Sequence, residues 1–304
     1  MVVLDVVLGV LGTLIALENI VVCVLVICYK SLRTYTNGFI VSLAVADFLY
    51  GALIIPLFLA NASEVINSYI LSMVLLANIT TLMSVTFDRY LIVLHPFVYD
   101  TFMARYFFVV VIVSWLVPIS VSLIPLFYAS NFTQTGHKVY VYFLVILGVV
   151  IPYFLILLGY IRIFQHVVRQ VKYLARLDPA RDDEGKARQE GKRVTSEAYV
   201  ARIFAIIAAI FIVSWMPVVY MTFVGNIGRQ DLIPKALQMV SWVTLSLGSL
   251  VNAPIYAYAK KDFRGVMKRI IFYKRRRVTL RNEGDEPNTA QYMISIKSDT
   301  NSDL

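Results

Sequence analysis

Residues 66–97 read INSYILSMVLLANITTLMSVTFDRYLIVLHPF: an apolar stretch closed by Asp88, Arg89 and Tyr90, with Pro96 a short way on. As a helix, ~20 apolar residues cover ~30 Å, the thickness of a bilayer's hydrocarbon core. An Asp-Arg pair at the end of such a helix is costly within lipid, so it marks a membrane edge and needs a partner or a purpose.

Working outward from this stretch, apolar runs recur at roughly 2–28, 36–60, 66–87, 106–128, 139–161, 203–225 and 236–259. Each is long enough to span a bilayer as a helix, and none alternates as a barrel strand would. The chain has 304 residues, 59% of them hydrophobic and 15% charged, with a mean hydropathy of +0.72. A soluble domain is nearer half apolar and a quarter charged. The expected fold is therefore an all-α membrane protein, a bundle of seven transmembrane helices.

The net charge of +9 would suit nucleic-acid binding in a soluble protein, but its distribution points elsewhere. With the N-terminus outside, the inner segments hold 25 of the 28 Lys and Arg residues, and the outer ones hold only Lys138, Arg229 and Lys235. Basic residues collect on the cytoplasmic side of membrane proteins, so this asymmetry predicts an outside N-terminus, a cytoplasmic C-terminus and no nucleic-acid partner. The first run lacks a basic leader and reads as helix 1, not a removed signal. Cys23 and Cys28, the only cysteines, lie five apart on helix 1 and read as packing residues without a disulfide.

Helix 3 is expected from Glu64 to about Leu94, with helices 5 and 6 extending inward past their apolar runs. Asp178–Arg193 (DPARDDEGKARQEGKR) reads as a mobile loop. After helix 7, KDFRGVMKRIIF (Lys261–Phe272) sets Phe263, Met267, Ile270 and Ile271 on one face and basic residues opposite. That pattern predicts an amphipathic eighth helix on the inner leaflet, with membrane lipids as its partner. The division is then 1–260 for the seven-helix bundle, 261–272 for the surface helix and 273–304 for a disordered cytoplasmic tail.

Motifs on every helix share a pattern. Helix 1 carries Glu18-Asn19 and helix 2 carries Asp47, deep in its apolar run, where a carboxylate costs ~2.5–3.5 kcal/mol unless it faces partners. Helix 4 has Trp115, read as a packing aromatic. Helix 5 has Pro152 and, eight residues on, Tyr160; helix 6 has FIVSWMP, with Phe211, Trp215 and Pro217; helix 7 has Asn252-Ala253-Pro254-Ile255-Tyr256. Taken with Asp88-Arg89-Tyr90, the chain from about residue 2 to 272 resembles the rhodopsin-like (class A) G-protein-coupled receptors. The likeness falls among the adenosine, cannabinoid, lysolipid and melanocortin receptors.

The resemblance implies a multi-pass plasma-membrane receptor that binds a ligand between its helices and activates heterotrimeric G proteins by outward movement of helix 6. It makes Asp88, Arg89, Tyr90, Glu197, Tyr160, Phe211, Trp215, Pro217, Asn252 and Tyr256 the coupling and switch residues. Glu197, twenty residues before Pro217, would pair with Arg89 at rest. The resemblance also implies an ion or water site, with an allosteric sodium ion at Asp47 ringed by Asn19, Asn78, Ser249 and Asn252. Asn78 stands where the family usually offers a hydroxyl. Two further departures are visible: the helix 7 proline lies one residue late, and Glu64 replaces the cysteine that usually pins the outer loop.

By helical position, Leu71, Ser72, Leu75, Leu144, Val145, Val218, Val219, Thr222, Trp242, Leu245 and Ser246 line the outer pocket. The lining is apolar with three hydroxyls, and favours a lipid or other hydrophobic small molecule, from outside the cell or from the membrane itself. The alternatives are a peptide meeting Glu64 and Asp231, a nucleoside, or a constitutively active or ligandless membrane protein. A purine-binding Asn is replaced by Thr222, and an opsin's Schiff-base lysine by Ser246. His95, His137 and His166 have no metal spacing and no catalytic partners, so no enzyme and no other cofactor is expected. Asn131 (Asn-Phe-Thr) is the expected glycosylation site. The C-terminal Ser302-Asp303-Leu304 resembles a PDZ-domain ligand, and tail hydroxyls would recruit arrestin once phosphorylated.

Overall fold

A computed structural model describes residues 2–60, 64–128, 134–174, 184–260 and 262–270. Among these residues, seven helices are long and apolar enough to cross a membrane. They are α1 (Val2–Cys28), α2 (Tyr35–Leu59), α3 (Glu64–Leu94) and α4 (Pro96–Leu123), followed by α5, α6 and α7. Helix α5 runs from Gln134–Val145 through Ile146–Val150 to Ile151–Leu174; α6 is Glu184–Asn226 and α7 is Lys235–Ala259. Residues 262–270, labelled α8, are also helical.

Central in the bundle, α3 packs against α2, α4, α5 and α6, while α1 closes the ring against α2 and α7. Val74, Ala77, Ile79, Leu82 and Val85 of α3 are buried accordingly, whereas Ile112 and Leu116 of α4 remain exposed on the face left to lipid. Helices α1 and α2 touch backbone to backbone: a Cβ on Gly51 would sit 2.6 Å from the Gly12 carbonyl oxygen. Only glycine permits that approach.

Among the described residues, two helices carry a single π turn, at Tyr50–Ile54 in α2 and Ile146–Val150 in α5. Each ends two residues before a proline, Pro56 or Pro152. Proline has no N–H to give and its ring crowds the preceding turn, so the chain widens by one residue instead of breaking. In α7 the late Pro254 leaves the helix continuous; its ring is exposed, and the buried position beside Asn252 is filled by Ala253.

Three expectations need correcting. Helix 4 begins at Pro96, not near residue 106. Proline suits the first helical position, and it forces the preceding His95 out of helical backbone (φ −132°, ψ 53°), which ends α3 at Leu94. The last ten residues of the expected loop, Glu184–Arg193, are the first part of α6; their Glu, Lys, Ala, Arg and Gln residues favour helix more than their two glycines oppose it. Cys23 and Cys28 are unbridged as expected, but Cys28 is exposed and does not pack. In α8, Phe263 and Val266 are buried, with Met267 and Ile270 packed against the same core; Ile271 lies outside the described residues.

Candidate functional site

The starts of α2 and α4 meet the end of α3 at Asp88. Thr34 caps α2 by accepting from the Asn37 N–H, which sets Thr36 and Asn37 in the first turn, Thr36 toward α3 and Asn37 toward Lys260. The Asp88 carboxylate, fully buried, accepts from Thr36 Oγ1 at 2.9 Å and from Arg89 Nε and Nη2 at 3.1 and 2.7 Å on one oxygen. Its other oxygen accepts from the Tyr99 hydroxyl of α4 at 2.8 Å. Arg89 is folded back on its neighbour and is itself buried, and Tyr90 lies beside His95 with ring centroids 5.9 Å apart. The Glu197 side chain lies outside the described residues, as do those of Phe211, Tyr256 and Glu64.

Lys260 follows α7 and is buried under the start of α2. Its ammonium donates to Asn37 Oδ1, lies 5.8 Å from the Phe263 ring centroid, and has Asp262 at 3.9 Å. Burial first, then the nearby Arg89, pushes the Lys260 ammonium down to about 7, against a weaker upward pull from Asp262 and Asp88. A cavity of about 930 Å³ opens here, lined by Arg33, Thr36, Arg89, Tyr99, Lys260 and Asp262. Sequence reading did not find Thr36, Asn37, Tyr99 or Lys260. The Thr34 cap was the one local signal that places two of them.

Higher in the bundle, Asp47 is fully buried and accepts from Asn252 Nδ2 at 2.8 Å, with Ser249 beside it. Asn19 and Asn78 are buried too, and the Asn19 amide donates to its own helix at Ile15 O. Asp47 Oδ1, Asn19 Oδ1, Asn78 Oδ1 and Glu18 Oε1 are buried acceptors without a donor among the described residues. Each would cost ~1–3 kcal/mol if left bare, and all are hard oxygens of the kind that hold Na⁺ or water.

Trp215 is buried and meets the Tyr153 ring edge-on at 6.1 Å, within the α6 stretch that holds Pro217. Tyr160 is buried with its hydroxyl unmatched among the described residues. Trp115 is more than a packing aromatic: its indole N–H donates to Ser42 Oγ at 2.9 Å and ties α4 to α2.

Of the expected outer pocket, Val145, Leu245 and Ser246 are buried. Leu71, Ser72, Leu75, Leu144, Val218, Val219, Thr222 and Trp242 are half-buried. Two of the three hydroxyls are turned to their own helices, Thr222 to Val218 O and Ser246 to Trp242 O, and Trp242 stacks on Phe58 at 4.2 Å. These residues do not line the inner cavity. Asp231 pairs with Arg229 at 2.9 Å on the surface. Asn131 and Ser302–Leu304 lie outside the described residues.

The arrangement is a stack of polar layers inside an apolar bundle. It contains no cluster of three or more His, Cys, Asp or Glu among the described residues. Melanopsin of Branchiostoma belcheri is 26% identical over 83% of this chain, which spans 40% of that protein. The octopamine receptor beta-2R of Chilo suppressalis is 27% identical over 95% of the chain and 86% of the receptor. For the adenosine receptor A2b of Rattus norvegicus the identity is 26%, over 86% and 87%. The family profile described as 7 transmembrane receptor (rhodopsin family) matches residues 18–256, most of the chain. The chain belongs to the rhodopsin family of seven-transmembrane receptors.

Proposed function

We propose that this protein is a plasma-membrane receptor, N-terminus outside, that takes a hydrophobic small molecule between its helices and activates heterotrimeric G proteins as α6 swings outward. The observation that carries the reading is Arg89. It is a buried cation at the inner end of the central helix, held by an Asp88 that three elements saturate. A side chain held this way at rest can be released to an incoming partner helix, with Glu197 as a second restraint. The 1–260, 261–272 and 273–304 division, arrestin recruitment and PDZ capture belong to the same reading. The hydrophobic ligand rests on the apolar outer lining. The peptide alternative loses force because Asp231 already has Arg229. Retinal is disfavoured because Ser246 stands where its lysine would be.

The test is a panel of G-protein activation sensors in cells, comparing wild type with Arg89→Ala at matched surface expression. At least a tenfold loss of activation by the sensor that responds is expected. Wild-type output from Arg89→Ala would overturn the coupling role.

A sodium ion fits Asp47, Asn19 and Asn78, whose orphaned oxygens ask for a cation or water, and it would restrain the resting packing of α2, α3 and α7. Exchanging sodium for choline at constant ionic strength should lower the wild-type Tm by several degrees and leave Asp47→Asn unmoved. Equal responses in both proteins would remove the ion.

A further inference from the structure

Outside the polar stack, a groove of about 490 Å³ runs between α3, α4 and α5 in the half of the bundle that ends at Arg89. It exists because α4 and α5 both pack on α3 but scarcely touch each other among the described residues. Its two walls are helical stripes at i, i+3/i+4, i+7 spacing: Met83, Thr86, Phe87 and Tyr90 on α3, and Leu155, Leu158, Gly159 and Arg162 on α5. Two turns of helix make it ~10 Å long.

The floor is less polar than its composition. Thr86 Oγ1 is spent on Leu82 O and Ser84 Oγ on Thr80 O, so both turn their carbon atoms outward. A Cβ on Gly159 would lie 3.1 Å from Thr86 Cγ2, so the glycine lets the walls meet there. Phe87, Leu155 and Leu158 are 37%, 50% and 39% exposed, so the groove opens sideways to lipid and not into the bundle. At its inner end stands Arg162, exposed and without an ion-pair partner among the described residues. An apolar slot of this size, ending in one free guanidinium at a membrane edge, is complementary to an acyl chain that ends in an anion.

We propose that this groove binds one anionic phospholipid of the inner leaflet, an acyl chain lying along the α3 and α5 stripes and the phosphate on Arg162. The leaflet assignment rests on the orientation proposed above; the chemistry of the groove does not. The full-length receptor in detergent micelles, where there are no leaflets, is exposed to phosphatidylglycerol or phosphatidylcholine carrying a photoreactive group in one acyl chain, and labelled peptides are mapped. Phosphatidylglycerol should label peptides containing Phe87 and Leu155–Leu158 about fivefold more than phosphatidylcholine, the factor one interfacial cation supplies.

Arg162→Gln should erase that preference and keep chain labelling. Leu158→Trp, which fills the slot from an exposed position, should abolish labelling at both peptides. Arg169→Gln, exposed on α5 beyond the groove, should change nothing. Equal labelling by the two lipids, indifference to Leu158→Trp, stronger labelling by a photoreactive free fatty acid, or cross-linking of two receptor copies through this face would each overturn the phospholipid. Orientation is tested apart from this: an N-terminal tag stained only in permeabilised cells would reverse the leaflet and leave the micelle result standing.

Discussion

Asp88→Asn is expected to raise ligand-independent G-protein activation by about tenfold, with Arg89→Ala in the same background returning it to nothing. Asp88 is the acceptor of four hydrogen bonds, two of them from the Arg89 guanidinium. Bonds to charged groups are worth ~1.5–3 kcal/mol each, and an amide oxygen retains only part of that. Losing ~1.4 kcal/mol of resting-state restraint moves a two-state equilibrium tenfold, so a receptor ~1% active at rest becomes ~10% active. The amide is nearly isosteric and can still accept from Tyr99 or Thr36, so the fold should survive where Asp88→Ala would leave Arg89 buried without its ion-pair partner on α3. Glu197→Gln should raise basal output in the same direction. Sensor output at matched surface expression decides the matter. Unchanged basal activity in Asp88→Asn would mean that Arg89 is not restrained through its neighbour.

The helices were legible because membrane solvation is a blunt constraint: a backbone in hydrocarbon must be satisfied internally, so apolar length alone marks each span. The boundaries that failed are those where polar chemistry decides. Pro96 starts α4 through local sterics in a stretch too polar to join an apolar run, and Glu184–Arg193 joins α6 through helix propensity outside the membrane.

The site divides the same way. Asp47 and Asn252 stand out because a polar residue amid apolar neighbours is conspicuous, and they do bond. Thr36 and Asn37 open α2 and Tyr99 lies near the start of α4, in polar stretches where such residues are ordinary, and nothing in one dimension shows that Thr36 and Tyr99 meet at Asp88. The roles given to Glu197, Phe211 and Tyr256 rest on resemblance alone.

Lys260 was read as one more inner charge, and its burial is what makes it informative. It is 8% exposed, and among the described residues it has one neutral acceptor in hydrogen-bonding reach and its nearest carboxylate, Asp262, at 3.9 Å. Arg89 and Asp88 of α3 and Asp262 of α8 are the charges that act on it, and Asn37 of α2 is neutral. The folded protein holds its proton only up to about 7, against 10.5 for an ordinary lysine. Below pH 7 both the folded and unfolded chains carry the proton and the burial penalty is present in full. Between about 7 and 10.5 the unfolded chain binds more protons than the folded one, so stability rises with pH. The gap corresponds to ~3–5 kcal/mol of penalty.

Lys260→Met keeps the length and apolar stem and removes the charge. It orphans Asn37 Oδ1 at ~1–3 kcal/mol and loses a cation–π contact of ~0.5–1 kcal/mol. A net gain of ~1–2 kcal/mol at neutral pH and below follows, a Tm several degrees higher. Melting the purified receptor at pH 6, 8 and 9.5 should give a wild-type Tm that climbs with pH and a Lys260→Met Tm that climbs less, the two converging at the alkaline end. Parallel curves would show that Lys260 keeps its proton throughout, and that the bond to Asn37 is strong enough to hold a charge beneath α2.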